Sequence, residues 1–252
     1  MRARVIPCLL LHNGGLVKTA RFKNPKYVGD PINAIRIFND KEVDELVVLD
    51  IAASQEHREP NYALIEQFAG ECFMPLCYGG GIHSVEQARR LFELGVEKVC
   101  LQTAALRDIA VISRIAERFG SQSVVISADV KKNWFGAHRL YAAASRKIVS
   151  YSWLEYLRAA VSAGAGEVML NAVDQDGVMQ GMDLELIREA AAALPVPLIA
   201  VGGIGSLRHI KEAIDAGASA VAAGSFFVFQ GRHRAVLITY PQDRELESLN
   251  LS

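Results

Sequence analysis

A chain of 252 residues with 27 basic and 28 acidic side chains carries a formal charge of −1, so no global field draws it to nucleic acid or to an anionic membrane, and any anion site must be local. Hydrophobic residues make up 51% of the sequence, enough to fill the core of one domain spanning 1–252. No apolar stretch reaches the roughly 18 residues needed to cross a bilayer, and the N-terminus lacks a signal-peptide core, so a cytoplasmic protein is expected.

Short apolar runs followed by turn residues predict strands near 4–10, 45–50, 73–78, 97–101, 123–129, 166–171, 196–201 and 219–223. Helical patterns fill the gaps. One begins at Ser84, whose spacing to Gln87 is that of a capping box, and Pro31, Pro60, Gly95, Gly164 and Gly217 punctuate the units. The strands are continuous apolar runs, the pattern of a parallel sheet covered by helices on both faces. Eight such units favour a closed (β/α)8 TIM barrel over an open doubly wound sheet. Cys8, Cys72, Cys77 and Cys100 form no CxxC pair and lie mostly in these runs, which reads as reduced structural thiols. No His/Cys/carboxylate set has metal-ligand spacing, and no cofactor is implied.

The chain also repeats itself. Tyr78-Gly79-Gly80-Gly81-Ile82 returns as Val201-Gly202-Gly203-Ile204-Gly205 (203 − 80 = 123), and Glu45 and Glu167 open apolar runs 122 apart (167 − 45 = 122). Two half-barrels, about 1–120 and 121–252, are expected. Function in such a barrel gathers at the C-terminal ends of the strands. There the two glycine turns are each paired with a hydroxyl residue after the next strand, Thr103 and Ser225, so they read as two phosphate cups for a ligand with a phosphate at each end. Tight βα turns alone would also call for glycines.

The combination of Arg4-Val5-Ile6-Pro7-Cys8-Leu9, Asp44 to Ile51, Gly79-Gly80-Gly81-Ile82, Thr103-Ala104-Ala105, Phe119-Gly120-Ser121-Gln122 and Asp174-Gln175-Asp176-Gly177 resembles the cyclase subunit of imidazole glycerol phosphate synthase, over residues 1 to about 230. The resemblance implies a heterodimer with a glutaminase subunit. Ammonia from the partner would react with a bis-phosphorylated formimino-carboxamide ribonucleotide, giving imidazole glycerol phosphate and an aminoimidazole carboxamide ribotide. It assigns Gly81 and Thr103 to one phosphate and Gly177, Gly203, Gly224 and Ser225 to the other, with Lys18, Asp50 and Asp176 as further substrate contacts. Arg4, Glu45, Lys98 and Glu167 match the charged gate through which ammonia enters, although structural ion pairs would look the same.

The family carries acid and base aspartates at the ends of strands one and five. Asp129 matches the second, but Leu10 stands at the first, and leucine transfers no proton. His12 and Asp50 are the candidate substitutes. Asp174 and Asp176 either orient substrate or make an Asx turn, and Lys131, Lys132, Trp134, His138 and Arg139 either cover an anion or form a solvated flap. The run from Gln230 to Pro241 departs from the charged final helix of the histidine-pathway enzyme and looks like a divergent branch associated with surface polysaccharide (O-antigen lipopolysaccharide) clusters. There, a third protein, a sugar amidotransferase, would consume the ammonia. A phosphoribosylformimino isomerase-like enzyme and a noncatalytic scaffold are the remaining alternatives.

Overall fold

The computed structural model describes residues 3–231 and 233–249. Eight parallel strands form its centre: β1 (Arg4–His12), β2 (Leu46–Asp50), β3 (Leu76–Gly79), β4 (Lys98–Leu101), β5 (Val124–Lys132), β6 (Glu167–Ala172), β7 (Leu198–Val201) and β8 (Ala220–Ala223). They pair in sequence order. The ring closes through β8 beside β1, in the register Arg4↔Ala220, so the sheet is a barrel with no open edge among these strands.

The connections are helices α1 (Pro31–Asp40), α2 (Tyr62–Glu71), α3 (Val85–Glu93), α4 (Ala110–Phe119), α5 (Trp153–Ser162), α6 (Leu184–Ala193) and α7 (Leu207–Asp215); α8 (Asp243–Ser248) ends the described chain. Local chemistry sets their starts. Asp30 caps α1 ahead of Pro31, which gives up no needed N–H at the first helical position, and Ser84, Ser152, Asp183 and Ser206 cap later helices. Gly95, Gly164 and Gly217 follow helix ends at positive φ. The capping box at Ser84 differs from the expected form. Ser84 accepts from Gln87 N, but the Gln87 side chain reaches one residue further back, to His83 N at 2.8 Å.

Three boundaries move. The third strand starts at Leu76, not at 73, because Pro75 precedes it and Phe73 is 87% exposed. The first and fifth strands run on into hairpins. Gly15–Ala20 folds back on β1 and Lys23–Gly29 pairs with it in turn, while His138–Ala142 folds back on β5, with Lys147–Ile148 beyond it. Phe229–Gln230 pairs with Ala235–Val236 in a short antiparallel ribbon, and further on Tyr240 ties the chain to the barrel floor by donating to Val5 O at 2.7 Å.

Alternate residues of each strand point inward. Ile6, Cys8, Val47, Cys77, Cys100, Val125, Met169, Ile199, Ala220 and Ala222 fill the barrel, while the other face of each strand packs under the helices. All four cysteines are free thiols. Burial pushes the Cys8 thiol up to about 12, so it behaves as a small apolar filler. Among the described residues no helix is long and apolar enough to cross a membrane.

Candidate active site

A cavity of about 290 Å³ opens at the C-terminal ends of the strands. Asp129 projects into it from β5 and is 4% exposed. Gln102, directly after β4, donates its side-chain amide to Asp129 Oδ2 and so leaves the following short helix, Thr103–Arg107, without a side-chain cap. Burial pushes the Asp129 carboxyl up to about 7; the Gln102 amide opposes this and the neighbouring Asp176 carboxyl adds to it. A carboxyl that titrates near neutrality is suited to moving protons.

Leu10 lines the same cavity from β1, partly buried, with no polar group in its place. Asp50 reaches the cavity but is occupied: Oδ1 accepts from Ala52 N and Ala53 N at 3.0 Å, and Oδ2 pairs with Arg58 at 3.4 Å. His12 lines the rim. Neither takes up the inward position that Leu10 holds.

Lys18 does not sit in an open loop. It belongs to the first hairpin, is 4% exposed, and donates from Nζ to Cys8 O at 2.6 Å. Burial lowers its pKa. A Cβ at Gly224 would strike Nζ, so Gly224 leaves room for this lysine. The neighbouring Thr19 donates to Asp176 Oδ2 at 3.1 Å, and Arg21 N donates to Asp176 O at 2.9 Å. Burial raises the Asp176 carboxyl, against the Thr19 hydroxyl and the Lys18 ammonium.

The loop after β6 clamps both hairpins. On one side it holds Thr19 and Arg21; on the other, Asp174 Oδ2 accepts from Lys132 N at 2.8 Å. Asp183 adds Lys132 Nζ at 2.9 Å and His138 Nε2 at 3.0 Å. Asp174 is therefore a tie between loops. Trp134 and Phe135, at the tip of the second hairpin, are 97% and 92% exposed.

The glycine turns repeat in space. A Cβ at Gly80 would strike Asp50 O and one at Gly202 would strike Ala172 O, each the last residue of the neighbouring strand. Gly80 and Gly202 are 122 residues apart (202 − 80 = 122), as are Thr103 and Ser225 (225 − 103 = 122), so the register of the repeat is one residue shorter than the glycine motifs alone suggest. Thr103 and Ser225 each open a short helix, and Gly79, Gly80, Gly81, Gly177, Gly202, Gly203, Gly224 and Ser225 all border the cavity.

At the other end of the barrel, Arg4 pairs with both Glu45 and Glu167, and Lys98 Nζ lies 3.0 Å from each of the two carboxylates. The glutamates are 2% and 5% exposed. Two cations and two anions thus close the floor as a ring. Gln102, Asn171, Ser127 and Thr19 are site residues that sequence reasoning missed; Ser127 and Asn171 face inward by strand register, with Asn171 directly beside Asp129, Gln102 follows the end of β4, and Thr19 comes from the first hairpin.

This is a (β/α)8 barrel with a mouth at the C-terminal ends of its strands, and residues 4–234 match the family described as Histidine biosynthesis protein. The chain is 55% identical over 248 residues to a protein of Pseudomonas aeruginosa provisionally named imidazole glycerol phosphate synthase subunit hisF2, covering 98% of this chain and 99% of that one. A similarly named protein of Leptospira interrogans is 47% identical over 99% of both chains. The imidazole glycerol phosphate synthase subunit HisF of Thermobifida fusca is 41% identical over 91% of both. The chain belongs to the histidine biosynthesis protein family.

Proposed function

We propose that this chain is a cyclase-type subunit of imidazole glycerol phosphate synthase, receiving ammonia through its floor and using it at its mouth on a bis-phosphorylated formimino-carboxamide ribonucleotide. The observation that carries the reading is the joining, in one barrel, of a closed ring of Arg4, Glu45, Lys98 and Glu167 with a mouth where Asp129 lies buried between two repeated glycine turns.

The apolar interior of Ile6, Val47, Val125, Met169 and Ile199 admits neutral ammonia and excludes ammonium, whose desolvation in such a lining is costly. A glutaminase docked on the floor face would deliver ammonia once the ring of ion pairs parts. Backbone N–H groups at Gly81 and Thr103 serve one phosphate, and those at Gly177, Gly203, Gly224 and Ser225 serve the other, with Lys18 supplying a cation beside Gly224. Asp129, ionised above about pH 7, accepts a proton as the nitrogen adds.

Leu10 favours a second reading, in which the barrel conducts ammonia to another protein's substrate, such as a sugar acetamido group bound by a third, amidotransferase protein. The two separate when the purified chain is given the bis-phosphorylated nucleotide with excess ammonium at alkaline pH, beside Asp129→Asn. Turnover that the substitution abolishes supports the cyclase. Bound nucleotide without turnover supports the conduit.

A further inference from the structure

Asn171 stands on β6 directly beside Asp129 of β5 and borders the cavity. Its Oδ1 is buried without a hydrogen-bond partner. That oxygen is turned toward Gly202, where a Cβ would lie 2.9 Å from it and 2.8 Å from Ala172 O. Two acceptors therefore face one spot with no donor between them, a costly arrangement for buried polar atoms. A half-turn about the terminal torsion of the side chain would exchange its ends, setting Nδ2 toward Ala172 O and Oδ1 toward the cavity.

Four other polar side chains of the mouth are already engaged. Gln102 is held by Asp129, Asp176 by Thr19, Asp50 by Ala52 N and Ala53 N, and Lys18 by Cys8 O. Tyr156 Oη is the other buried atom without a partner among the described residues, but Tyr156 does not border the cavity. With one Nδ2 hydrogen turned to Ala172 O, Asn171 is left with one acceptor and one donor, in one plane, for a ligand.

Its neighbours decide what it can take. A cation would be drawn instead to Asp129 or Asp176, and an anion would be repelled by them. A neutral planar group with both a donor and an acceptor matches it edge to edge. With phosphates at the turns after β3 and β4 and after β7 and β8, a long ligand crosses the barrel axis, and its middle passes between β1 and β2 on one side and β5 and β6, with Asn171, on the other.

We propose that Asn171 is a specificity residue that recognises the primary carboxamide of the ligand, its Oδ1 accepting an amide N–H and its Nδ2 donating to the amide oxygen. This rests on the bis-phosphorylated carboxamide nucleotide as substrate.

The test is equilibrium binding, by calorimetry, of two mononucleotides that differ only in this group, 5-aminoimidazole-4-carboxamide ribotide and 5-aminoimidazole ribotide. The wild-type chain is expected to prefer the first by about tenfold, the worth of one or two neutral hydrogen bonds. Asn171→Leu, nearly the same size, should bring the two affinities within twofold of each other by weakening the carboxamide ligand alone. Asn171→Ala, which adds no bulk, should do the same. A preference kept in both variants, or absent from the wild type, overturns the assignment of Asn171. A wild-type chain that binds neither nucleotide overturns the substrate reading and the assignment with it.

Discussion

Strands β1 and β5 hold equivalent places in the two half-barrels, each running into a hairpin folded over the mouth, yet β5 sends Asp129 into the cavity where β1 sends Leu10. At the floor the halves agree. Glu45, just before β2, and Glu167, the first residue of β6, each accept from both Arg4 and Lys98. A repeated framework can thus keep its paired charges at one end while the chemistry at the other becomes one-sided. The floor ring is self-consistent, and losing one member strands a buried opposite charge. At the mouth, Leu10 buries no charge and needs no partner, whereas Asp129 carries a desolvation cost that the Gln102 amide only partly offsets.

The sharpest break in this comparison is Asp129→Asn, which removes the mouth's remaining acid–base group of this pair. It is expected to lower ammonia-dependent turnover by about 10²- to 10⁴-fold while leaving nucleotide affinity within a few-fold. Steady-state kinetics and calorimetry read the two effects separately. Glu167→Ala breaks the symmetric end instead, leaving Arg4 and Lys98 with one shared anion. A loss of about 3 kcal/mol in urea denaturation is expected; a loss under about 0.5 kcal/mol would mean that the ring does not contribute to stability. Leu10→Asp makes the mouth symmetric, and should raise turnover about tenfold if β1 lacks only its proton-transfer group.

The buried carboxylate of the β5 side also sets a pH slope. Burial raises the Asp129 carboxyl from the unfolded value near 3.9 to about 7. Between those values the folded chain holds a proton that the unfolded chain has released. Stability therefore falls as pH rises from about 4 to about 7, by at most about 1.4 kcal/mol per pH unit, and this contribution levels off above that. Asp176, also raised by burial, adds to the slope in the same direction. Denaturation midpoints measured across this range should flatten in Asp129→Asn, leaving the share due to Asp176.

The barrel was legible in the sequence because parallel strands buried on both faces read as unbroken apolar runs, and because helix starts such as Asp30-Pro31 and stops such as Gly95 are local signals. Arg4, Glu45, Lys98 and Glu167 stood out because each opens an apolar run. Lys18 was visible as a candidate, but its burial against Cys8 O was not. That depends on how a hairpin folds back across ten residues and on the space left at Gly224. Gln102 and Asn171 carry no local mark at all.

What the sequence determined by itself was the number and order of units, their duplication, the four floor charges, and the unequal residues Leu10 and Asp129, since all of these are readable from spacing and residue type. Only the tertiary structure decided that the loop after β6 ties down both hairpins, that Asp50 is occupied by its own turn, and that Asn171 lies uncommitted beside Asp129. Those facts depend on which side chains meet across the barrel mouth. Such meetings are set by closure of the sheet between residues distant in the chain, and no local pattern encodes them.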